Sequence, residues 1–316
     1  MKVRAILNPR AGVSPDEARR AAERGHPGWH DFDLVLTEGP GHATELARAA
    51  AVAGAELVLA VGGDGTANEV ARGLIGTKAA LGIVPAGSGN GLARALRIPL
   101  RPAPALHALE TGVRRLIDVG LLNGQLFLNV AGVGFDAVVS RAFHDSGRRG
   151  GRRGLFGYVR LSLREMLRYR APRLVIDTGK ERHAVRPFVL TFANGPQYGS
   201  GAVINPGGKL DDGELELVIL DDRSLPALLA AAPRLFLGGL ERVKGYRRLR
   251  ASRVTVTAET EIVVHRDGDP ETETDRIEVR VEPRSLAIVA PAATASDPAG
   301  PFSASGAPGS RGRDGC

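Results

Sequence analysis

The sequence has very little cysteine and few aromatic residues. Cys316 is the single cysteine among 316 residues, and it ends a polar tail. One cysteine excludes an intramolecular disulfide framework and a cysteine-based zinc site, so we expect a reducing, cytoplasmic environment. Aromatic residues make up 4% of the chain, and no stretch interleaves several of them with basic clusters, as RNA and single-strand binding surfaces do. We therefore expect no nucleic-acid partner.

The chain also lacks a hydrophobic run long enough to cross a bilayer. The most apolar later stretch, LPALLAAAPRLFLGGL from Leu225, is shorter than a membrane span and is interrupted by Pro233 and Arg234. The opening residues, MKVRAILNPRAG, lack the long apolar core and the small-residue cleavage site of a signal peptide. These patterns predict a soluble protein without a membrane-spanning segment.

Positive charge is in excess over the whole chain. The formal net charge is +7 and the isoelectric point is about 10.0, which favours anionic partners such as a nucleotide or an acidic lipid surface. The content of 43% hydrophobic and 24% charged residues is typical of a globular protein. A chain of this length can build two cores of ordinary size, so we expect two domains.

The apolar residues follow two different patterns along the chain. Up to about Asp118, short apolar runs alternate with helical segments, which predicts an α/β domain over residues 1–119 with a mainly parallel sheet covered by helices on both faces. After that point the pattern changes to many short alternating strands, which predicts a β-sandwich over residues 120–284. We expect the chain to rejoin the first domain at about 285–291. Residues 292–316 are rich in Gly, Pro and Ser and are predicted to be disordered.

Three glycine-rich turns follow strands of the predicted α/β domain: NPRAG at 8–12, GGDGT at 62–66 and PAGSGNGLAR at 85–94. Loops after parallel strands lie at the carboxyl edge of the sheet, so the three turns can share one crevice. Thr66 can cap the helix that follows the second turn, and Ser88 and Asn90 can cap the helix after the third, which leaves backbone N–H groups for an anion. Arg94 could neutralise a phosphate there.

The carboxylate of Asp64 lies among these phosphate-binding glycines. That placement is chemically sensible if Mg²⁺ bridges the carboxylate to a phosphate, or if the carboxylate accepts a proton from an attacking hydroxyl. The chain contains no GxxxxGK[ST], and GSGNGL does not satisfy GxGxxG, which disfavours a P-loop or a Rossmann dinucleotide site. The turns therefore indicate phosphoryl transfer, with ordinary βα turns and a helix-capping Asp64 as the alternative.

Six motifs together resemble the diacylglycerol kinase catalytic-domain family, which includes bacterial lipid kinases and sphingosine and ceramide kinases. They are NPRAG, GGDGTANEV, VPAGSGNGLARAL, IDVG, GVGFDA and LDDGELEL, in this order, and the resemblance covers about residues 1–290. The GGDGT loop alone is shared with NAD kinases and resembles phosphofructokinases. Its combination with GSGNGLAR and LDDGELEL is much more specific to the lipid kinases.

The resemblance implies a phosphofructokinase-like N-terminal α/β domain, a C-terminal β-sandwich domain, and ATP bound between them. Asp64 is expected in the catalytic centre. The nucleotide-binding residues that it implies are Asn8, Thr37, Gly62, Gly63, Asp64, Gly65, Thr66, Asn68, Gly87, Ser88 and Asn90.

The resemblance also implies a set of magnesium ligands. Asp118 of IDVG and Asp211 of KLDDG are expected to join a network of aspartate, water and Mg²⁺ that links the domains. Asp212, with the backbone oxygens of Lys209 and Glu214, is expected to hold a structural Mg²⁺. An ordinary hairpin is the alternative for LDDGELEL, because Asp-Gly between strands is a turn signal.

One position departs from the family pattern. The family often carries Asp-Gly-Glu late in the sandwich, with the glutamate as proposed general base, whereas this chain reads HRDGDP. Asp269 takes the place of the glutamate and is one methylene shorter, which weakens the assignment, since a general base must come within hydrogen-bond reach. A turn that carries a solvated acid is the alternative.

The acceptor is indicated by two weaker features. Arg160, Arg164 and Arg168 recur at helical spacing and follow RRGGRR at 148–153, which favours peripheral contact with an anionic membrane surface or, alternatively, a solvated helix face. Long-chain-base kinases of the family are expected to place an acid near the GF motif, and this chain has Val138 there. A neutral glycerolipid is therefore favoured over an amine-bearing sphingoid base.

The leading hypothesis is an ATP- and Mg²⁺-dependent kinase of diacylglycerol or a related lipid alcohol, in the cytoplasm or at the inner membrane face. The alternatives are a sphingoid-base or ceramide kinase, a kinase of a soluble substrate like the NAD kinases, and a non-catalytic regulator that binds lipid or nucleotide. A homodimer is also compatible with the sequence.

Overall fold

The chain divides into two compact units. The computed structural model of the protein describes residues 1–17, 20, 29, 31–148, 155–271 and 273–303. The first unit contains Met1–Val119, Lys209–Gly213 and the described residues from Glu282 onward, and the second contains Gly120–Gly208 and Glu214–Val281. The short segment from Lys209 to Gly213 belongs to the first unit, although the sequence pattern assigned it to the sandwich. It carries three of the predicted magnesium ligands.

The first unit is built from parallel strands and their connecting helices. Its strands are β1 (Lys2–Leu7), β2 (Asp31–Leu36), β3 (Leu57–Gly62) and β4 (Ala80–Pro85), and its helices are α1 (His42–Val52), α2 (Asp64–Leu74), α3 (Gly91–Ala95), α4 (Pro102–Glu110) and, late in the chain, α9 (Ala292–Ser296). Strand β5 (Val113–Leu122) begins in this unit, and strand β16 (Thr274–Ala290) ends in it.

The sheet of the first unit has the order β2, β1, β3, β4, and every neighbouring pair is parallel. Ile288 of β16 continues it by pairing parallel with Leu81 of β4. All residues of β3 and β4 are buried, as expected for parallel strands that are covered on both faces. The predicted α/β fold is confirmed.

The second unit is mostly antiparallel. Its further strands are β6 (Gln125–Phe127), β7 (Val130–Gly134), β8 (Leu174–Asp177), β9 (Arg182–Val185), β10 (Pro187–Ala193), β11 (Leu215–Asp221), β12 (Tyr246–Ala251), β13 (Arg253–Ile262), β14 (Val264–Arg266) and β15 (Asp269–Pro270). Its helices are α5 (Phe135–Arg148), α6 (Leu155–Met166), α7 (Leu225–Ala231) and α8 (Arg234–Leu237), followed by a 3₁₀ turn at Leu240–Arg242.

Two sheets of the second unit enclose one hydrophobic core. One sheet has the order β12, β11, β10, β7, β14, β15, and the other contains β16, β13, β8 and β9. Buried side chains of both sheets meet in this core, including Phe192 and Leu217 from the first and Val254 and Ile277 from the second. Burial of alternate residues on two facing sheets is the sandwich arrangement, so the predicted β-sandwich is confirmed.

The segment after residue 291 has defined structure as far as residue 303, which corrects the prediction that 292–316 are disordered. It begins with α9, and its Phe302 is buried. The guanidinium of Arg115 lies 4.7 Å from the centre of the Phe302 ring, and the N–H of Leu210 donates to the carbonyl of Pro301 over 2.8 Å. A single buried ring and backbone bonds anchor a stretch whose composition alone predicts disorder. Residues 304–316 lie outside the described residues.

Among the described residues, no helix is both long and apolar enough to span a bilayer.

Candidate active site

The three glycine-rich turns meet at the carboxyl edge of the parallel sheet. The N–H of Asn8 donates to the carbonyl of Val61 over 3.1 Å, which joins the first turn to the end of β3. The N–H of Gly12 donates to the carbonyl of Ala86, and the N–H of Ala86 donates to the carbonyl of Gly62, both over 2.8 Å. Backbone bonds therefore hold the three turns side by side at one edge.

The second and third turns touch at two glycines. A Cβ added to Gly87 would lie 2.5 Å from the Cα of Gly63, and a Cβ added to Gly63 would lie 3.2 Å from the Cα of Gly87. A methyl group at Gly87 would therefore force the two backbones apart. Gly87 and its neighbour Ser88 are exposed, as is Gly65 in the second turn, so a ligand can reach both turns.

Helix α2 begins at Asp64, with Gly63 in an extended conformation as its N-cap. The first bond of the helix runs from the N–H of Ala67 to the carbonyl of Gly63 over 3.1 Å, so the N–H groups of residues 64–66 have no partner within the helix. Thr66 was predicted to cap this helix, but it lies in the first turn, where its hydroxyl accepts a hydrogen bond of 3.3 Å from the Asn8 side chain. The helix starts earlier because glycine takes the capping position.

Asp64 caps helix α3. Its Oδ1 accepts a hydrogen bond of 2.6 Å from the N–H of Gly91, the first residue of α3. Ser88 and Asn90 were predicted to supply this cap. Asn90 instead closes its own turn, since its side chain accepts from the N–H of Gly87 over 3.0 Å and donates to the carbonyl of Gly87 over 2.7 Å. The carboxylate of Asp64 is half-buried and held between the second and third turns.

Two other predicted nucleotide residues, and Arg94, which was expected to neutralise a phosphate, lie near the same edge. Thr37 follows β2, is buried, and donates its N–H to the carbonyl of Leu7 over 2.9 Å. Asn68 is buried on the second turn of α2, and Arg94 on α3 donates its Nε–H to the carbonyl of Gly89 over 3.0 Å. The Arg94 side chain therefore stabilises the third turn as well as adding positive charge.

Glu69 does not oppose an anion at this edge. Its Oε2 accepts a hydrogen bond of 3.2 Å from the N–H of Ala43, and its backbone carbonyl accepts from the hydroxyl of Thr44 over 2.8 Å. The side chain therefore serves the N-terminus of α1, where a carboxylate is favourable. Asp64 is the acid that remains beside the glycine-rich turns.

Asp118 is fully buried and accepts two backbone hydrogen bonds. Its Oδ2 accepts from the N–H of Gly213 over 2.6 Å, and its Oδ1 accepts from the N–H of Arg284 over 2.7 Å. Burial raises the pKa of its carboxyl above the ordinary value, and the charges of Asp212 and Asp211 also raise this pKa. The two N–H bonds lower the pKa but do not cancel the effect of burial. Asp118 thus fastens two later segments of the chain onto β5.

Asp211 is engaged by protein donors too. Its Oδ2 lies 3.4 Å from the Arg115 guanidinium, and its Oδ1 accepts from the N–H of Ser303 over 2.5 Å. Both side chains of the ion pair are buried. The Lys209 ammonium, in the same segment, donates to the carbonyl of Gly300 over 2.5 Å and to that of Pro298 over 3.3 Å. The segment is therefore an anchor for residues 298–303.

The predicted magnesium ligands make several contacts within the protein. Across the part of the chain that the structure describes, no group of three or more His, Cys, Asp or Glu side chains could hold a metal ion. Asp118 and Asp211 bind backbone N–H groups and an arginine, Asp212 is half-buried, and Glu214 belongs to the second unit, where its carboxylate lies 3.5 Å from Arg250. Asp118 and Asp211 thus hold polypeptide segments together, and the magnesium site, which also uses backbone oxygens of Lys209 and Glu214, stays a prediction.

Asp269 begins the second strand of a tight hairpin in the second unit. Strands β14 and β15 pair at Arg266 with Asp269, and Asp267 and Gly268 form the turn between them. The carboxylate of Asp267 accepts three backbone N–H bonds, from Leu128, Asn129 and Val130, over 2.7, 2.8 and 3.1 Å. These bonds fix the hairpin to the sandwich and thereby fix the position of Asp269.

Asp269 is exposed to solvent, although protein groups lie close enough to its carboxyl to affect its pKa. The surrounding protein raises the pKa of Asp269 above the ordinary aspartate value, and the charge of Asp267 raises it further, while His144 and Arg266 lower it. A raised pKa makes a carboxylate more basic, which is what a proton acceptor requires.

A buried polar cluster in the second unit was not predicted. His265 Nε2 lies 3.0 Å from Asp136 Oδ2, and the Tyr198 hydroxyl donates to the same oxygen over 2.9 Å. The Thr191 hydroxyl lies 2.6 Å from that of Tyr198. No spacing pattern in the sequence indicates this cluster, because Asp136 and His265 are 129 residues apart. His265 stands on the hairpin of Asp269, so the cluster is a second anchor for it.

Both parts of the chain match known protein families. Residues 2–122 match the diacylglycerol kinase catalytic domain, and residues 129–290 match the YegS C-terminal NAD kinase beta sandwich-like domain. The chain is 38% identical to a protein named "Probable lipid kinase YegS-like" from Chromohalobacter salexigens, over 68% of this chain and 70% of that one. It is 28% identical to a diacylglycerol kinase from Bacillus subtilis, over 85% and 88%.

Solved structures share the fold. A crystal structure of a diacylglycerol kinase from Bacillus anthracis aligns with a TM-score of 0.69 and 20% identity, covering 92% of this chain and 96% of that one. An NAD kinase from Archaeoglobus fulgidus in complex with ATP aligns with a TM-score of 0.51 and 13% identity, covering 92% and 94%. These likenesses concern the fold alone. By its sequence matches, the chain belongs to the diacylglycerol kinase catalytic-domain family and to its lipid kinase members related to YegS.

Proposed function

We propose that this protein transfers the γ-phosphate of ATP, bound with Mg²⁺, to the hydroxyl of diacylglycerol or a closely related neutral lipid alcohol. The observation that carries the proposal is the position of Asp64, a carboxylate held by the Gly91 N–H between two glycine turns that touch at Gly63 and Gly87. Membership in a kinase family implies the use of ATP. The one solved relative named above with a nucleotide is the NAD kinase, which binds ATP.

The glycine turns supply the phosphate-binding part of the mechanism. The N-terminus of α2 presents N–H groups that have no intrahelical partner, and a helix N-terminus favours negative charge. The contact of Gly63 with Gly87 lets a phosphate approach backbone atoms of two turns at once. Preorganised donors of this kind stabilise charge on a transferring phosphoryl group without reorganising during the reaction.

In the proposed reaction, the acceptor hydroxyl attacks the γ-phosphorus. A bond forms between the lipid oxygen and the phosphorus, the bond from phosphorus to the β,γ-bridging oxygen breaks, and ADP leaves with that electron pair. Mg²⁺ that arrives with the nucleotide neutralises charge on the phosphate oxygens. The hydroxyl proton passes to a carboxylate, and the candidates are Asp64 and Asp269.

Asp269 is the proposed general base because it combines a fixed hairpin with a raised pKa. Asp64 is then the carboxylate that orients the nucleotide complex. The Asp118 and Asp211 carboxylates are assigned no step in this proposal, and their oxygens accept hydrogen bonds from backbone N–H groups and Arg115.

A neutral glycerolipid is the proposed acceptor for two reasons. Val138 stands where an amine-binding acid is expected in long-chain-base kinases of the family, so this chain has no carboxylate at that position for a sphingoid amine. The Bacillus subtilis relative is named a diacylglycerol kinase.

The test is transfer of labelled γ-phosphate from ATP with Mg²⁺ to a panel of acceptors. The panel holds diacylglycerol, monoacylglycerol, sphingosine and ceramide in detergent micelles, together with NAD in solution, and Asp64→Asn protein serves as the blank. Label on diacylglycerol or monoacylglycerol that is lost in the blank supports the proposal. Label on any other member of the panel would identify that compound as the acceptor in place of a glycerolipid. Nucleotide binding without any labelled product would indicate a regulator that has lost catalysis.

A further inference from the structure

The helices on one face of the sandwich expose an apolar surface. Of the ten large hydrophobic side chains that are exposed in the described part of the chain, five come from the region of α6 and from α7 and α8. They are Leu163, Leu167, Leu229, Phe236 and Leu237. Phe236 is 58% exposed and Leu237 is 85% exposed, so neither side chain contributes much to the folded core.

The helical segments lie on the same side of the second unit. Met166 and Tyr169, at the end of α6 and just beyond it, pack on the cluster that includes Phe188 of β10 and Leu228 of α7. Leu235 of α8 packs on a neighbouring cluster with Val218 of β11. Val243 and Tyr246 belong to both clusters. The helices therefore cover one continuous face of the six-stranded sheet.

The chain reverses sharply just after Phe236 and Leu237. Helix α8 is only four residues long, and it ends at Gly238 and Gly239, which have φ angles of 84° and 85°. Backbone of this left-handed kind is strained for residues with a side chain, so two glycines suit a tight reversal. Leu240 is buried directly after it. Phe236 and Leu237 are thus held at the tip of an anchored turn.

Exposed arginines lie on the same helices as these apolar residues and beside them. Arg234 and Arg242 are exposed on either side of it, and Arg160, Arg164 and Arg168 are exposed on and beside α6. Among the described residues, no acidic side chain forms an ion pair with the three arginines near α6, and Arg242 has only a distant partner, the Glu241 carboxylate at 3.9 Å. Exposed apolar residues and exposed arginines on one helical face complement the acyl boundary and the phosphates of an anionic bilayer.

We propose that this helical face, from Arg160 to Arg168 and from Leu225 to Arg242, docks on the surface of an anionic phospholipid bilayer. Phe236 and Leu237 enter the boundary between headgroups and acyl chains, and the arginines contact lipid phosphates. The docking site rests on the proposed function in that a membrane is where a diacylglycerol acceptor resides. It adds the surface by which the protein reaches that acceptor.

The test is vesicle flotation of the full chain. The vesicles contain phosphatidylglycerol mixed with phosphatidylcholine, or phosphatidylcholine alone. Phe236→Ser with Leu237→Ser removes the apolar tip, and Val52→Ser, on the first unit, is the matched control because Val52 is 81% exposed. Arg164→Glu with Arg168→Glu tests the charge, because a basic residue near an anionic surface contributes about a fivefold change in affinity.

We expect wild-type protein and the control to bind anionic vesicles much better than neutral ones. The tip variant should bind at least about tenfold more weakly, and the charge variant should lose the preference for anionic vesicles. All variants should phosphorylate a short-chain diacylglycerol in detergent micelles as fast as wild type. Equal vesicle binding by wild type and the tip variant would overturn the proposal, as would loss of a wild-type dimer in the tip variant, which would assign the surface to a second copy of the chain.

The micelle assay separates this inference from the proposed function. Protein that phosphorylates short-chain diacylglycerol but does not float with anionic vesicles contradicts the docking surface alone. Protein that floats through the tip but labels no lipid in micelles contradicts the kinase function alone.

Discussion

The Oδ1 atom of Asp64 accepts a hydrogen bond of 2.6 Å from the backbone N–H of Gly91. This bond joins the start of α2 to the start of α3, and so it ties together the two glycine turns that precede these helices. The bond also restricts rotation of the Asp64 carboxylate, because Oδ1 caps α3. A side chain oriented in this way is preorganised for a ligand at the same edge.

The close contact of Gly63 with Gly87 should make position 87 intolerant of any side chain. In Gly87→Ala, the new Cβ would lie 2.5 Å from the Gly63 Cα, and displacement of the turns should weaken ATP binding about tenfold or more. Calorimetric titration with a non-hydrolysable ATP analogue measures this. Gly39→Ala is the matched control, because a Cβ at Gly39 meets no atom within 4 Å. Equal affinities for the two variants would contradict the role of the contact.

The raised pKa of Asp269 should appear in the pH dependence of the reaction. A general base must be ionised, so kcat/KM should rise with pH through the pKa of Asp269, and this midpoint should lie above the ordinary aspartate value of 3.8. Asp269→Asn should lower kcat at least about 100-fold. A pH profile that keeps the same acidic limb in Asp269→Asn would assign the base to another group.

The Asp269→Glu variant distinguishes an active kinase from a regulator that has lost catalytic activity. The hairpin around Asp269 is fixed by the three N–H bonds to Asp267, so we expect a catalyst adapted to aspartate and little gain from the longer side chain. Steady-state kinetics on the accepted lipid provide the measurement. A large gain in kcat would show instead that aspartate at position 269 has cost the protein catalytic activity.

Asp118 should matter for stability. An amide in Asp118→Asn can accept only one of the N–H groups of Gly213 and Arg284, which should lower the free energy of unfolding by about 1–3 kcal/mol. Because burial raises the pKa of Asp118 above 3.8, the folded state binds this proton more tightly than the unfolded state. The stabilising contribution is therefore complete below pH 3.8 and is lost as pH rises through the raised pKa.

Urea unfolding of wild type and Asp118→Asn at several pH values checks this sign. The stability difference between the two proteins should shrink as pH rises above 3.8. A difference that grows with pH would mean that Asp118 acts as a stabilised carboxylate, which is the behaviour expected of a metal ligand.

The anchoring of residues 298–303 should be measurable at Phe302. Phe302→Ala removes a ring that is buried beside Arg115 and should lower the free energy of unfolding by about 3 kcal/mol. Phe236→Ala is the control, since its ring is largely exposed and its loss should change stability by less than about 0.5 kcal/mol. Similar values for both variants would show that the segment is not anchored by Phe302.

The sequence predicted the features that depend on local pattern. Alternation of apolar runs and helices identified the parallel sheet, and short alternating strands identified the sandwich. The glycine turns could be placed at one edge because loops after parallel strands share that edge. Asp64 could be singled out because a carboxylate among such glycines is unusual.

The remaining features depend on contacts between distant parts of the chain. The cap of α3 comes from Asp64, 27 residues before Gly91, so the local capping rule selected Ser88 and Asn90 instead. The partner of Asp211 that local pattern does not reveal is Arg115, which is 96 residues away. The ordered stretch up to residue 303 was missed for the same reason, because composition does not reveal that Phe302 reaches Arg115.

The most direct test of the kinase account is transfer of labelled γ-phosphate from ATP to micellar diacylglycerol by wild type and Asp64→Asn. The amide keeps an oxygen that can accept the Gly91 N–H, so the variant should fold and melt like wild type while its rate falls at least about 100-fold. A labelled lipid product from wild type that disappears in a folded Asp64→Asn variant is the predicted result. Equal rates for the two proteins, or no labelled lipid from wild type, would contradict the account.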